Sequence, residues 1–144
     1  MNLIHINLQP KYENLLVREE LVAVVEKVLD YLNIFDCEIS ISFIENRRIR
    51  ELNRIYRGID AETDVLSFPF NEVNPETGYR MLGDILIAIP IAQYQAIKMH
   101  HPLSKEINLL MIHGILHLLG YDHEMKQDKL KMFPIQKKLV HLVG

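Results

Sequence analysis

The chain has 144 residues, 49% of them hydrophobic and 24% charged, with a net charge of −3, which suits one globular domain around a single core over residues 1–144 and excludes a protein that coats nucleic acid or an anionic membrane by bulk charge. One cysteine, Cys37, has no internal disulfide partner, which points to a reducing cytoplasm and a buried structural thiol. The start "MNLIHINLQPKY" lacks a basic n-region, and the uncharged runs 85–97 and 107–121 are too short to cross a bilayer, so a soluble protein without a membrane partner is expected.

Residues 2–8, "NLIHINL", predict a strand that ends before Pro10. From Tyr12 to about Tyr31 apolar residues recur at threes and fours, the period of a helix with one buried face. "CEISISFIE", residues 37–45, alternates strictly, with Ile39, Ile41 and Phe43 on one side and Ser40 and Ser42 on the other, the clearest strand in the chain. "NRRIRELNRIYR", residues 46–57, returns to helical spacing with Ile49, Leu52 and Tyr56 on one face and Gly58 placed to end it. "VLSFPF" reads as a strand that Pro69 confines to an edge or cuts short, and "EVNPETGY" as a turn-rich connection. "MLGDILIAI" predicts a strand buried on both faces, within which Asp84 must find a partner or reach solvent. Pro90 suits the first turn of a helix carrying Ile91 to Met99. Ser104 suits the N-cap of a helix from Lys105 to Leu119 that stops at Gly120 and has no polar face. A last helix from about Glu124 to Leu142 places Leu130, Phe133, Ile135 and Leu139 among lysines, with a kink or break expected at Pro134.

The stretch "MIHGILHLLGYDH", residues 111–123, carries the chemistry. On a helix His113 and His117 leave the same face, so their nitrogens can converge on one ion. Gly120 can reverse the chain and bring His123 back as a third ligand. Three histidines leave a fourth tetrahedral position for water, the mark of a catalytic rather than a closed structural zinc site, although nickel, copper and iron also accept imidazole. The plainer alternative is three unrelated histidines, some bonded to backbone in the core. Three imidazoles in one apolar neighbourhood all need partners, and a shared metal satisfies them together. The spacing also looks like the extended zinc-peptidase pattern, in which a glutamate general base follows the first histidine. Here Gly114 occupies that position, which weakens a peptidase reading. Asp122 and Glu124 are possible substitutes, with Asp122 better suited to orienting a ligand or to a solvated turn.

"HGILHLLGYDH" resembles the signature of the YbeY family of bacterial rRNA-maturation endoribonucleases, and two upstream blocks agree with it: "LNRIYRGIDAETDVLSFPF", residues 52–70, and "LGDILIAIP", residues 82–90. The resemblance implies a small α+β domain, a mixed sheet of about four strands packed with helices around a central metal-binding helix. It implies one zinc ion (Zn2+) on His113, His117 and His123, and cleavage of single-stranded RNA. It further implies roles in 3′-end maturation of small-subunit (16S) rRNA and in ribosome quality control, with the ribosome or its small subunit as partner and no DNA expected. It also implies that the arginine of the "YRG" block, Arg57, matters for RNA binding or catalysis.

The residues themselves are compatible with RNA. Arg47, Arg50, Arg54 and Arg57 are spaced by threes and fours opposite the apolar face of their helix, a stripe of guanidinium forks suited to phosphate oxygens. The alternative is a solvated face paired to Glu45, Glu51 and Asp60. A bound zinc would polarise a phosphoryl oxygen or lower the pKa of its water, and Arg57 would stabilise the charge on the phosphorane. Thr63, Asp64 and Ser67 are expected to serve turn and strand-end hydrogen bonds or to line the same cleft. The competing readings are a zinc hydrolase of peptides or amides, and a ribosome-associated domain whose metal only holds the fold.

Overall fold

The computed structural model describes residues 1–121 and 126–144. In chain order the elements are β1 (Leu3–Leu8), α1 (Arg18–Tyr31), β2 (Cys37–Ile44), α2 (Asn46–Arg57), β3 (Val65–Val73), β4 (Arg80–Ala88), α3 (Ile89–Lys98), α4 (Leu103–Leu118) and α5 (Lys126–Val143). The strands form one mixed sheet in the order β1-β2-β4-β3. β1, β2 and β4 run parallel, and β3 returns antiparallel beside β4 as an edge strand. This is the α+β architecture with a four-stranded mixed sheet that the resemblance implies.

Alternation in β2 divides the sheet into two faces. Cys37, Ile39, Ile41 and Phe43 are buried, while Glu38, Ser40, Ser42 and Ile44 are only half-covered. The buried side joins Ile85 and Ile87 of β4 and packs against α1, α4 and α5 through Val25, Leu29, Met111, Ile115, Met132 and Leu139. The opposite side is covered only in part, where Ile49 of α2 meets Leu66 and Ala88. Asp84 and Leu86 lie on that side and are half-buried, so β4 is not buried on both faces as its apolar run suggests. Cys37 is buried and donates from Sγ to the Phe35 carbonyl, as expected of a structural thiol.

Several boundaries differ from expectation for physical reasons. The first helix begins at Arg18, because Pro10–Tyr12 form a separate 3-10 turn and Val17 is extended. Glu19 and Glu20 then lie in its first turn, where carboxylates suit the helix dipole. α4 starts two residues earlier than Ser104 indicates, with Pro102 as its N-cap residue. β3 continues past Pro69 to Val73, since a register shift between Pro69 and Glu72 absorbs the proline at the sheet edge. α5 runs through Pro134 without ending. Its core stripe is Met132 and Leu139 with Ile135 half-buried, while Leu130 and Phe133 are exposed. On α2, Ile49 is buried as expected but Tyr56 is 67% exposed, its ring meeting Phe68 edge-on at 5.4 Å. Asn53 takes the buried place and donates to the Ala61 carbonyl at 3.0 Å, which pins the loop between α2 and β3.

α4 is buried almost all round, with Ile107, Leu110, Met111, Ile112, Ile115 and Leu116 in the core. It lies so close to the sheet that a Cβ on Gly114 would sit 2.8 Å from Ile85 Cγ2. A Cβ on Gly83 would likewise meet Leu118 Cδ2 at 2.8 Å. Two glycines, one on the helix and one on the strand, thus permit this approach.

Gly114→Ala tests the approach. Alanine favours an isolated helix over glycine by about 1 kcal/mol, but overpacking a filled core costs about 1–3 kcal/mol. A Tm lower than wild type by several degrees is expected in thermal unfolding, and an increase would show that the helix is free to move off the sheet. Asp84 supplies a second test. Burial raises its carboxyl pKa above the ordinary 3.8, so between the unfolded and folded pKa values the folded state holds a proton that the unfolded chain has released. The stability this lends is complete below the unfolded pKa and is lost as pH rises through the folded value. Asp84→Asn is therefore expected to raise Tm at pH 7, with the advantage disappearing below about pH 4.

Candidate metal centre and RNA cleft

The burial of α4 leaves two of its polar side chains, His113 and His117, half-covered one turn apart on a single face. Their Nε2 atoms approach to 2.9 Å, with ring centroids 4.5 Å apart and planes at 69°. Two bare lone pairs at that distance repel, so the pair is stable only with a shared proton or facing a cation. Zinc–imidazole bonds of about 2.0–2.1 Å can be met by two nitrogens at this separation, and the donor set therefore fits a metal. Past Leu118 the helix closes with Gly120 in the left-handed region at φ 96°, and the Tyr121 amide bonds back to the Leu116 carbonyl at 3.0 Å. The chain turns where the sequence expects it to. His123, Asp122 and Glu124 lie outside the described residues. Among the described residues no group of three or more His, Cys, Asp or Glu side chains is gathered as a metal cage.

The two imidazoles form one wall of an open cleft of about 680 Å³ that also takes in Arg57, Thr63, Asp64 and Ser67. Each of these is placed by local structure. α2 ends at Gly58, in the left-handed region at φ 70°, and Arg57 is its last residue. The Arg57 side chain donates from Nη2 to the Ser67 carbonyl at 3.3 Å. Asp64 is held by its own carbonyl, which accepts from the Ala88 amide at 3.0 Å, and by Oδ2, which accepts from Gln95 Nε2 at 3.4 Å. Ser67 faces α4 and donates from Oγ to the Gly114 carbonyl at 3.3 Å, so β3 is tied to the helix between the two histidines. Thr63 donates from Oγ1 to Asp64 Oδ1 at 3.5 Å, so Thr63, Asp64 and Ser67 all line the cleft and make structural hydrogen bonds as expected.

The arginine stripe divides. All four arginines are exposed, but Arg50 is paired to Asp60 at 2.9 Å. That pairing raises the Arg50 pKa and lowers the Asp60 pKa, through their hydrogen bond first and their charges second. Glu51 pairs with Arg48, and Glu45 with Lys11, so neither of the other two anticipated partners engages the stripe. Arg57 alone reaches the cleft.

Sequence reasoning missed Gln136 of α5, whose Oε1 lies 2.8 Å from His113 Nδ1. A signal was present: Gln136 falls on the stripe of Met132 and Leu139, a polar residue at a core-facing position.

A scan against family models matches residues 6–144 to Endoribonuclease YbeY. The chain belongs to the YbeY family. Relatives named Endoribonuclease YbeY include one from Persephonella marina, 49% identical over 80% of this chain and 76% of that one. Another, from a Sulfurihydrogenibium species, is 45% identical over 89% of this chain and 84% of its own length. One from Bacillus cereus is 42% identical, covering 89% of this chain and 90% of its own. Among solved structures, the solution structure of a Thermotoga maritima protein matches with a TM-score of 0.60 and 34% identity, covering 99% of this chain and 89% of that one.

Proposed function

We propose that this YbeY-family chain is a zinc-dependent, single-strand-specific endoribonuclease that acts in 3′-end maturation of 16S rRNA and in ribosome quality control, in the cytoplasm and in contact with the small ribosomal subunit. Membership in an endoribonuclease family makes it an RNA-cleaving hydrolase. Among the described residues no helix is long and apolar enough to cross a membrane. The observation that carries the finer reading is the convergence of His113 and His117 at 2.9 Å in a cleft that Arg57 also lines.

His113 and His117 would hold the zinc, with His123 as the third ligand expected from the sequence. A bound zinc supplies Lewis acidity toward a phosphoryl oxygen and a water of lowered pKa. The chain's own contribution is placement and charge. Arg57 offers a guanidinium at the cleft wall, suited to the negative charge that builds on phosphorus in the transition state. Arg47 and Arg54, exposed on the same helix, continue that positive surface away from the cleft and suit the phosphates of a flanking strand. The cleft is open rather than enclosed, which suits a strand that enters and leaves, and single-stranded RNA can follow it without the width of a duplex.

Gly114 argues against peptide hydrolysis. Its Cα hydrogen faces Ile85 at core-packing distance, so position 114 cannot project a carboxylate into the cleft, and the peptidase base has no place there.

His117→Ala is expected to lose bound zinc and cleavage of a single-stranded RNA together, as read by metal analysis of the purified protein and a gel assay. Full cleavage by metal-free protein would overturn the zinc assignment, and zinc-dependent hydrolysis of peptides but not RNA would overturn the substrate. Arg57→Ala should lower the cleavage rate by about 10²–10³-fold, the usual cost of removing one transition-state charge donor, with zinc content unchanged. Loss of zinc in that variant would assign Arg57 to the fold of the site. The product ends identify the nucleophile: a 2′,3′-cyclic phosphate marks the neighbouring hydroxyl, and a 5′-phosphate marks water.

A further inference from the structure

The two nitrogens of His113 have different surroundings. Nε2 faces Nε2 of His117 at 2.9 Å, whereas Nδ1 lies 2.8 Å from Oε1 of Gln136, a residue of α5. An amide oxygen only accepts, so the Nδ1 nitrogen must donate, and His113 carries its proton there. Its Nε2 then presents a lone pair. We propose that Gln136 is a positioning residue that fixes His113 as the Nδ1–H tautomer, with Nε2 aimed at the metal position, so that α5 as well as α4 sets the affinity of the site. This inference rests on the zinc reading of the preceding subsection.

Packing and imidazole chemistry support it. Gln136 is held by its helix: Met132 and Leu139, four residues before it and three after, are fully buried at 0% exposure, and they anchor that stripe of α5 against the core. Its amide is therefore presented to α4 by packing. His113 also borders a second cavity of about 420 Å³, shared with Gln136 and Asp64. The cavity could admit water if the amide were cut away, so the contact is best probed by a side chain of equal length. Finally, an unrestrained neutral imidazole distributes its proton over both nitrogens, and each molecule with the proton on Nε2 must exchange it before a metal can bind there. A fixed acceptor on Nδ1 removes that loss and fixes the ring plane, and such partners typically account for 10–100-fold in metal affinity.

The test uses the full chain with Gln136→Met, which keeps length and removes the acceptor, and Gln136→Glu, which keeps an acceptor. Zinc affinity is measured by competition with a chromophoric chelator, and the tautomer by long-range proton–nitrogen correlation spectra of the metal-free protein at a pH where His113 is neutral. Wild type is expected to show His113 with its proton on Nδ1. Gln136→Met should show both tautomers, bind zinc about 10- to 100-fold more weakly, keep the metal-free Tm of wild type and regain cleavage when zinc is raised. Gln136→Glu should restore the affinity. Wild-type affinity in Gln136→Met, with zinc still lost in His117→Ala, would overturn the role of Gln136 alone. An affinity loss accompanied by a lower metal-free Tm, unrescued by Gln136→Glu, would make Gln136 a packing residue and overturn it too. A wild-type protein that takes up no zinc would overturn the metal reading itself, a result distinct from either.

Discussion

The close contact between α4 and the sheet at Gly114 and Ile85 is the constraint on which the site depends. A helix buried nearly all round cannot rotate without turning polar groups into the core, so its half-covered face is defined by everything around it. Ile107, Met111, Ile115 and Leu116 occupy the core side, and His113 and His117 face the cleft from what remains. The absence of a side chain at 114 lets the helix sit low enough for the Ser67 hydroxyl to reach its backbone. His113 and His117 therefore project from a helix packed on nearly every side, which would suit a metal whose bonds tolerate only a few tenths of an ångström.

The parts of the fold that follow a single periodicity were legible. β2 alternates and is half-buried, α4 is apolar throughout and is buried, and α2 ends at Gly58. What misled were residues whose local preference was overruled by tertiary position. The apolar run of β4 indicates two buried faces, yet α2 covers only one end of its far side, leaving Asp84 and Leu86 partly open. Tyr56 has the spacing of a core residue but lies at the exposed margin of the sheet against Phe68, and Asn53 takes the buried place, donating to a loop carbonyl. The candidate site was legible where spacing alone decides convergence, at His113 and His117. It was not legible at Gln136, because contact between separate helices leaves no periodic trace beyond one polar residue on an apolar stripe.

Charge is distributed to serve a local purpose on an acidic chain. Two of the five arginines of α2 are engaged, Arg50 with Asp60 and Arg48 with Glu51, as is the neighbouring Lys11 with Glu45. Exposed pairs of this kind contribute little to stability, but they locally neutralise Arg48, Arg50 and Lys11. Arg57 instead donates to a neutral carbonyl, and among the described residues no carboxylate forms an ion pair with it. A net charge of −3 is thus compatible with a polyanionic substrate, provided that the approach is short-ranged.

The hydrogen bond from Arg57 to the Ser67 carbonyl has a further consequence. β3 is the edge of the sheet beside the cleft, and an unpaired edge recruits extended peptide by backbone pairing. Here one carbonyl of that edge is covered by a guanidinium, and Pro69, two residues on and directed to the same side, has no N–H to offer. A peptide lying along β3 would find neither its acceptor nor its donor where the ladder requires them. The arginine that would meet a phosphate therefore also caps one acceptor of the sheet edge against backbone pairing.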